Sequence, residues 1–125
     1  HSENGEAWVT VDNYASIFRI LYNATYLGAE KSNYALRLLT RTSFNGAIPA
    51  GVASGIEVAH KFGEREIGTS KQFHDCGIVY YPKRPYILCV MTRGTDVKSQ
   101  IQVVAEISRA TFEQVRADAN ASRQN

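Results

Sequence analysis

The sequence predicts an α+β domain in which two N-terminal helices precede a three-stranded antiparallel sheet and one long helix closes the chain. Three observations carry this expectation. Apolar residues recur at helical spacing over residues 11–27, 32–40 and 96–119. Three stretches rich in aromatic and β-branched residues lie consecutively between residues 56 and 92. Glycine- and proline-bearing segments separate these blocks, and no internal repeat or low-complexity tract interrupts them.

In the first helix Tyr14, Ile17, Phe18, Leu21 and Tyr22 fall at i, i+3, i+4, i+7 and i+8, the stripe of an amphipathic helix. Thr10 or Asp12 can cap its start, and Gly28 can end it. The second helix is expected from Ser32, its N-cap candidate, to Thr40, burying Tyr34, Ala35, Leu38 and Leu39, so that the pair reads as a helical hairpin. Residues 41–54 lose all periodicity, with Asn45-Gly46, Pro49 and Gly51 marking a loop. Strands are expected at residues 56–64, 73–81 and 86–92, the last two joined across Pro82-Lys83-Arg84-Pro85. Glu64-Arg65-Glu66 reads as a solvated turn. Thr95 is the expected N-cap of the closing helix, whose stripe holds Val97, Ile101, Val104, Ile107 or Ser108, Thr111 and Val115. At 1.5 Å per residue that helix is roughly 35 Å long, enough to cover one sheet face. Little of the chain is left to cover the other. Residues 1–9 are expected as a flexible N-terminal end, 10–119 as the body of the domain and 120–125 as a polar tail that frays.

A chain of 125 residues has room for one hydrophobic core, and 44% hydrophobic with 21% charged residues is ordinary globular composition. The net charge of +2 is small and the basic residues are scattered, which argues against nucleic-acid binding. No apolar run approaches the ~20 residues of a membrane span. The start, His1 to Glu6, has no signal-peptide apolar region and resembles a cut site, which leaves room for a leader removed or lying upstream. With Lys83-Arg84 as the turn, Cys76 and Cys89 share a face but sit diagonally, an offset that favours buried free thiols over a disulfide. A CxxC or Cys/His metal spacing is absent, so no metal or cofactor is expected.

Chemistry concentrates in residues 56–64. Taken alone, Lys61 is a charged residue at a strand end. Strand alternation turns His60 away from it, which makes His60 a structural partner rather than a base, and sends the adjacent His74 and Asp75 to opposite faces. Tyr14, Phe18, Tyr22 and Tyr34 read as core rather than as a ligand platform. The glycosylation sequons at Asn23 and Asn120 are discounted, the first because it lies inside a helix.

Four segments then occur in a telling order: Pro49-Ala50-Gly51, Val58-Ala59-His60-Lys61-Phe62-Gly63-Glu64, His74-Asp75-Cys76-Gly77-Ile78-Val79-Tyr80, and Pro85-Tyr86-Ile87-Leu88. Together they resemble the C-terminal part of a class A β-lactamase-related, penicillin-recognising serine hydrolase, whose Lys-Thr-Gly or Lys-Ser-Gly strand walls the active site. The resemblance runs from about residue 10 to residue 118 and implies an incomplete β-lactamase/transpeptidase-like fold. It implies that Lys61 stabilises a substrate carboxylate and tunes nearby proton carriers, and that the edge N–H of Glu64 is an oxyanion donor. Gly63 would let a substrate backbone approach, and His74 would stand near the cation that relatives aim at the same carboxylate. Phe62 departs from the pattern, because it cannot hydrogen-bond where the family has a hydroxyl. No Ser in the chain has a Lys three residues on, the Ser-Asp-Asn motif is missing, and Val11-Asp12-Asn13 reads as capping chemistry.

The resemblance therefore implies a bacterial, extracytoplasmic acyl-transfer enzyme acting on β-lactam or peptidoglycan-type amides. This chain would be inactive by itself, and its partner would be the remaining N-terminal part of the domain or a second copy. The competing expectation is a non-catalytic binding or assembly module on the same fold, with Phe62 forming an apolar docking groove.

Overall fold

The computed structural model describes residues 9–125, so the flexible end expected at residues 1–9 lies, apart from Val9, outside the described residues. Helix α1 spans Val11–Asn23, and Thr10 rather than Asp12 caps it, its hydroxyl accepting the Asn13 N–H at 3.1 Å. Ala24 ends the helix in the left-handed region (φ 55°), its N–H returning to the carbonyls of Ile20 and Leu21. Gly28 (φ 79°) thus caps the start of α2, Ala29–Thr40, instead of ending α1.

The buried stripes are rotated from the expected ones. Phe18 is buried in α1, with Tyr14 and Leu21 beside it, while Ile17 and Tyr22 face outward. In α2 the inward residues are Ser32, Leu36 and Leu39, whereas Tyr34 is 62% exposed and Leu38 also faces out. Residues 32, 35, 36 and 39 are also at helical spacing, and the small Ser32 permits a close approach that a larger residue would block. Hydrophobicity alone picked a neighbouring stripe.

Strands β1 (Val58–Ile67), β2 (Ser70–Val79) and β3 (Tyr86–Gly94) form an antiparallel sheet in the order β1-β2-β3. Glu64-Arg65-Glu66 is no turn: these residues pair with Phe73, Gln72 and Lys71. The reversal comes later, at Gly68-Thr69, where Gly68 supplies the positive φ of 60°.

The β2–β3 connection corrects the cysteine expectation. The register pairs Val79 with Tyr86, which sets Cys76 directly opposite Cys89, with Cα atoms 4.0 Å apart. Directly opposed side chains in such a pair are close enough to bond, and the two form a disulfide rather than free thiols. The offset assumed from a turn at Lys83-Arg84 was two residues out, because the loop occupies all of residues 80–85.

Both sheet faces are covered. On one, Val58, Phe73 and Val79 pack with Ala47 and Ile48 against Val104 and Phe112 of α3, Val97–Arg123. On the other, Ala59, Cys76 and Ile78 lie under Phe18 of α1 and Leu36 of α2. The helical hairpin of α1 and α2 thus supplies the cover that the sequence left unassigned. Asp96, not Thr95, caps α3 by accepting the Ser99 N–H, and Ser108 rather than Ile107 faces inward. The helix continues past Ala119 to Arg123. Residues 48–51 form a 3-10 turn that abuts α3 so closely that a Cβ on Gly51 would lie 2.6 Å from the Ala105 carbonyl oxygen. Among the described residues no helix is long and apolar enough to cross a membrane.

The disulfide closes a loop with a sequence separation of 13 residues. Replacing both cysteines by Ala should lower the free energy of unfolding by about 2–4 kcal/mol, measured by urea denaturation. A stability unchanged by dithiothreitol in the parent chain would contradict the bridge.

Candidate functional site

The site grows from the two-residue alternation of β1. His60 and Phe62 point to the α3 face; Lys61 and Gly63 point to the face shared with Cys76 and His74. β1 is an edge strand. The Thr42 hydroxyl reaches the His60 carbonyl at 3.2 Å and the Lys61 ammonium reaches the Phe62 carbonyl at 2.9 Å, so the backbone groups of residues 60 and 62 face outward, away from β2. By the same parity the N–H of Glu64 points away from β2, while its side chain is exposed.

Behind this edge the structure explains Gly63 differently from the sequence. Gly63 pairs with His74, and a Cβ built on it would lie 2.5 Å from His74 Cε1 and 2.8 Å from Nε2. The imidazole therefore occupies the space that a side chain at position 63 would need. Tyr14 of α1 holds the ring from the other side, edge-on with centroids 5.3 Å apart. Burial pushes the His74 pKa down, Asp75 opposes this by favouring the charged ring, and the Lys61 ammonium adds to the depression. Burial, with a contribution from Asp75, raises the Tyr14 phenol.

Phe62 touches this group only through Lys61, whose ammonium stands 5.5 Å from the centroid of the Phe62 ring. Its ring lies on the opposite face, 4.4 Å from the Phe44 ring by centroids and stacked near Phe73. Lys61, Gly63, His74 and the Glu64 amide thus lie along one margin of β1, while the Phe62 ring packs on the other face beneath the Lys61 ammonium.

The α3 face holds a second constellation. Asp75, fully buried, places Oδ1 2.8 Å from Nδ1 of His60, which is 2% exposed, and its Oδ2 accepts the Ile48 N–H at 3.0 Å. The Ser108 hydroxyl donates to the Ile48 carbonyl at 2.7 Å. His60 is the structural partner that alternation suggested, and His74 and Asp75 do not pair with each other. The missed residue was Asp75. Its signal was the His60/Gly77 pairing, since a Cβ on Gly77 would strike the Ala59 carbonyl and sit 2.6 Å from His60 Cβ. Among the described residues no three His, Cys, Asp or Glu side chains converge to hold a metal.

The sequence model of the beta-lactamase enzyme family matches residues 1–115. No curated protein matches the chain. Among solved structures, PBP-A superposes with a TM-score of 0.70 at 22% identity, over 84% of this chain and 39% of PBP-A. A mutant of PBP-A, solved as an acyl-enzyme complex with penicillin G, gives a TM-score of 0.70 at 21% identity over the same shares of the two chains. A beta-lactamase from Sphaerobacter thermophilus DSM 20745 gives 0.70 at 20% identity, over 85% of this chain and 40% of that one. At these identities the likeness is one of fold, and the chain spans about two fifths of the length of these neighbours.

His74 should titrate by NMR with a midpoint below the usual value of about 6.5, and Lys61→Met should move that midpoint upward. Because the unfolded chain takes up this proton first, His74 lowers stability as pH falls from about 6.5 toward the folded midpoint. Gly63→Ala should displace the ring and broaden its resonances. A midpoint at or above the ordinary value would overturn this account of the ring's burial.

Proposed function

This chain belongs to the beta-lactamase enzyme family, and from that premise we propose that it is the C-terminal wall of a serine acyl-transfer site. The single observation that supports this most is the gathering of the Lys61 ammonium, the edge N–H of Glu64 and the His74 ring at one margin of β1. Lys61 meets the substrate carboxylate. The Glu64 N–H donates to the oxygen that gains charge when a serine hydroxyl attacks a β-lactam or peptidoglycan-type amide carbonyl. In that step the serine proton passes to a base, the C–N bond breaks as the amine takes up a proton, and water or an amine then resolves the ester. His74, whose pKa burial lowers, hydrogen-bonds the carboxylate where a permanent cation would pair with it.

The serine belongs to polypeptide other than these 125 residues, so the chain by itself is inert. The exposed apolar residues of α1, α2 and the turn between them, Ile17, Ile20, Leu27, Tyr34 and Leu38 among them, support a docking role for the rest of the domain. The Cys76–Cys89 disulfide supports an oxidising, extracytoplasmic location. The alternative, a non-catalytic module with an apolar groove at Phe62, draws less support, because that ring is already engaged by Phe44 and Phe73.

Penicillin G titrated into the isotope-labelled chain should shift the Glu64 amide and the His74 ring without being turned over, and Lys61→Ala should weaken the response at least several-fold, a loss of about 1 kcal/mol or more. β-Lactam turnover by the isolated chain that disappears in Lys61→Ala would refute its inertness. Shifts confined to other surfaces would refute the site.

A further inference from the structure

We infer that the cavity between the end of α2, the 45–56 loop and the start of β1 is a second binding site, suited to a small polyhydroxylated ligand such as a single sugar ring. Its wall includes His60 and not Lys61, and it does not depend on the acyl-transfer reading. The cavity encloses about 500 Å³, within the range of small-molecule sites.

His60 forms part of its wall although almost wholly buried. Asp75 engages Nδ1 and orients the ring, and among the described residues Nε2 has no protein partner. Nε2 is not sealed from solvent, so this otherwise buried ring opens on the cavity, where a ligand hydroxyl can reach it.

The remaining wall identifies the chemistry. Thr40, Asn45, Ser54 and Glu57 bring hydroxyl, amide and carboxylate groups, while Pro49, Val52 and Ile56 supply an apolar side. Thr40 already donates its hydroxyl proton to the Arg37 carbonyl, which leaves its oxygen as an acceptor. A ligand hydroxyl both donates and accepts, so it suits Nε2 whichever way the ring proton sits, and it matches the acceptors Glu57 and Thr40 as well as the donors Asn45 and Ser54. The C–H face of a sugar fits the apolar side. An anion would meet the Glu57 carboxylate, and a simple ammonium would leave the Asn45 and Ser54 donors unanswered.

The test is a titration of the isotope-labelled chain with glucose, methylammonium and acetate, read at the His60 ring nitrogens and the amides of residues 53–57. Glucose should produce a saturable shift with a Kd of about 1–10 mM. Ser54→Trp, placed on an exposed loop where folding is preserved, fills the cavity and should weaken this at least tenfold, and Glu57→Gln should weaken it about threefold. No saturation below about 100 mM, a stronger response to methylammonium or acetate, or an unchanged response in Ser54→Trp overturns the proposal.

Discussion

The buried pair of His60 and Asp75 is the interaction on which the arrangement depends. A carboxylate with no exposure must find partners inside, and Asp75 finds two, the His60 imidazole and the Ile48 amide. Through Ile48 and Ser108 the same carboxylate reaches α3, so one side chain ties β1, β2, the 3-10 turn and the closing helix together. Removing the imidazole would leave a buried charge half-satisfied, a loss of about 3–5 kcal/mol. Because strand residues alternate, fixing His60 on the α3 face also fixes Lys61 and Gly63 on the other. The margin that carries Lys61 and Gly63 is thus positioned by chemistry on the far side of the sheet.

Two glycines make both faces possible. Gly77 leaves room for His60 to lie against β2, and Gly63 leaves room for His74 to lie against β1. Each imidazole fills the space that its cross-strand neighbour lacks. The resulting sheet carries one histidine pinned on each face, the first by a carboxylate and the second by burial against Tyr14. The disulfide joins β2 to β3 two residues beyond His74, which keeps the strand bearing both His74 and Asp75 from shifting register.

Phe62 takes its meaning from the same alternation. It stands between Lys61 and Gly63, yet its ring belongs to the cluster of Phe44 and Phe73 that seals the α3 face near the end of the sheet. The family pattern has a hydroxyl there, and in this chain the position serves packing. The margin of β1 on the other side is left to a lysine, a backbone amide and a histidine.

Local pattern was enough to set out the order of two helices, three strands and a long helix, because periodicities of 3.6 and 2 are properties of the chain itself. The Lys61 to Glu64 edge and the opposite orientations of His60 and Lys61 were legible for the same reason. Which stripe of α2 turned inward was not, since Ser32 and Leu36 compete with Tyr34 and Leu38 at equal spacing and only the approach of the sheet chooses between them. The same holds for the cysteines: a two-residue difference in where the hairpin reverses separates a diagonal pair of thiols from a disulfide. The seat of His74 over Gly63 and the link from His60 to Asp75 join residues on different strands. Spacing along one strand carries no information about register with its neighbour, and so these contacts were decided only when the strands paired.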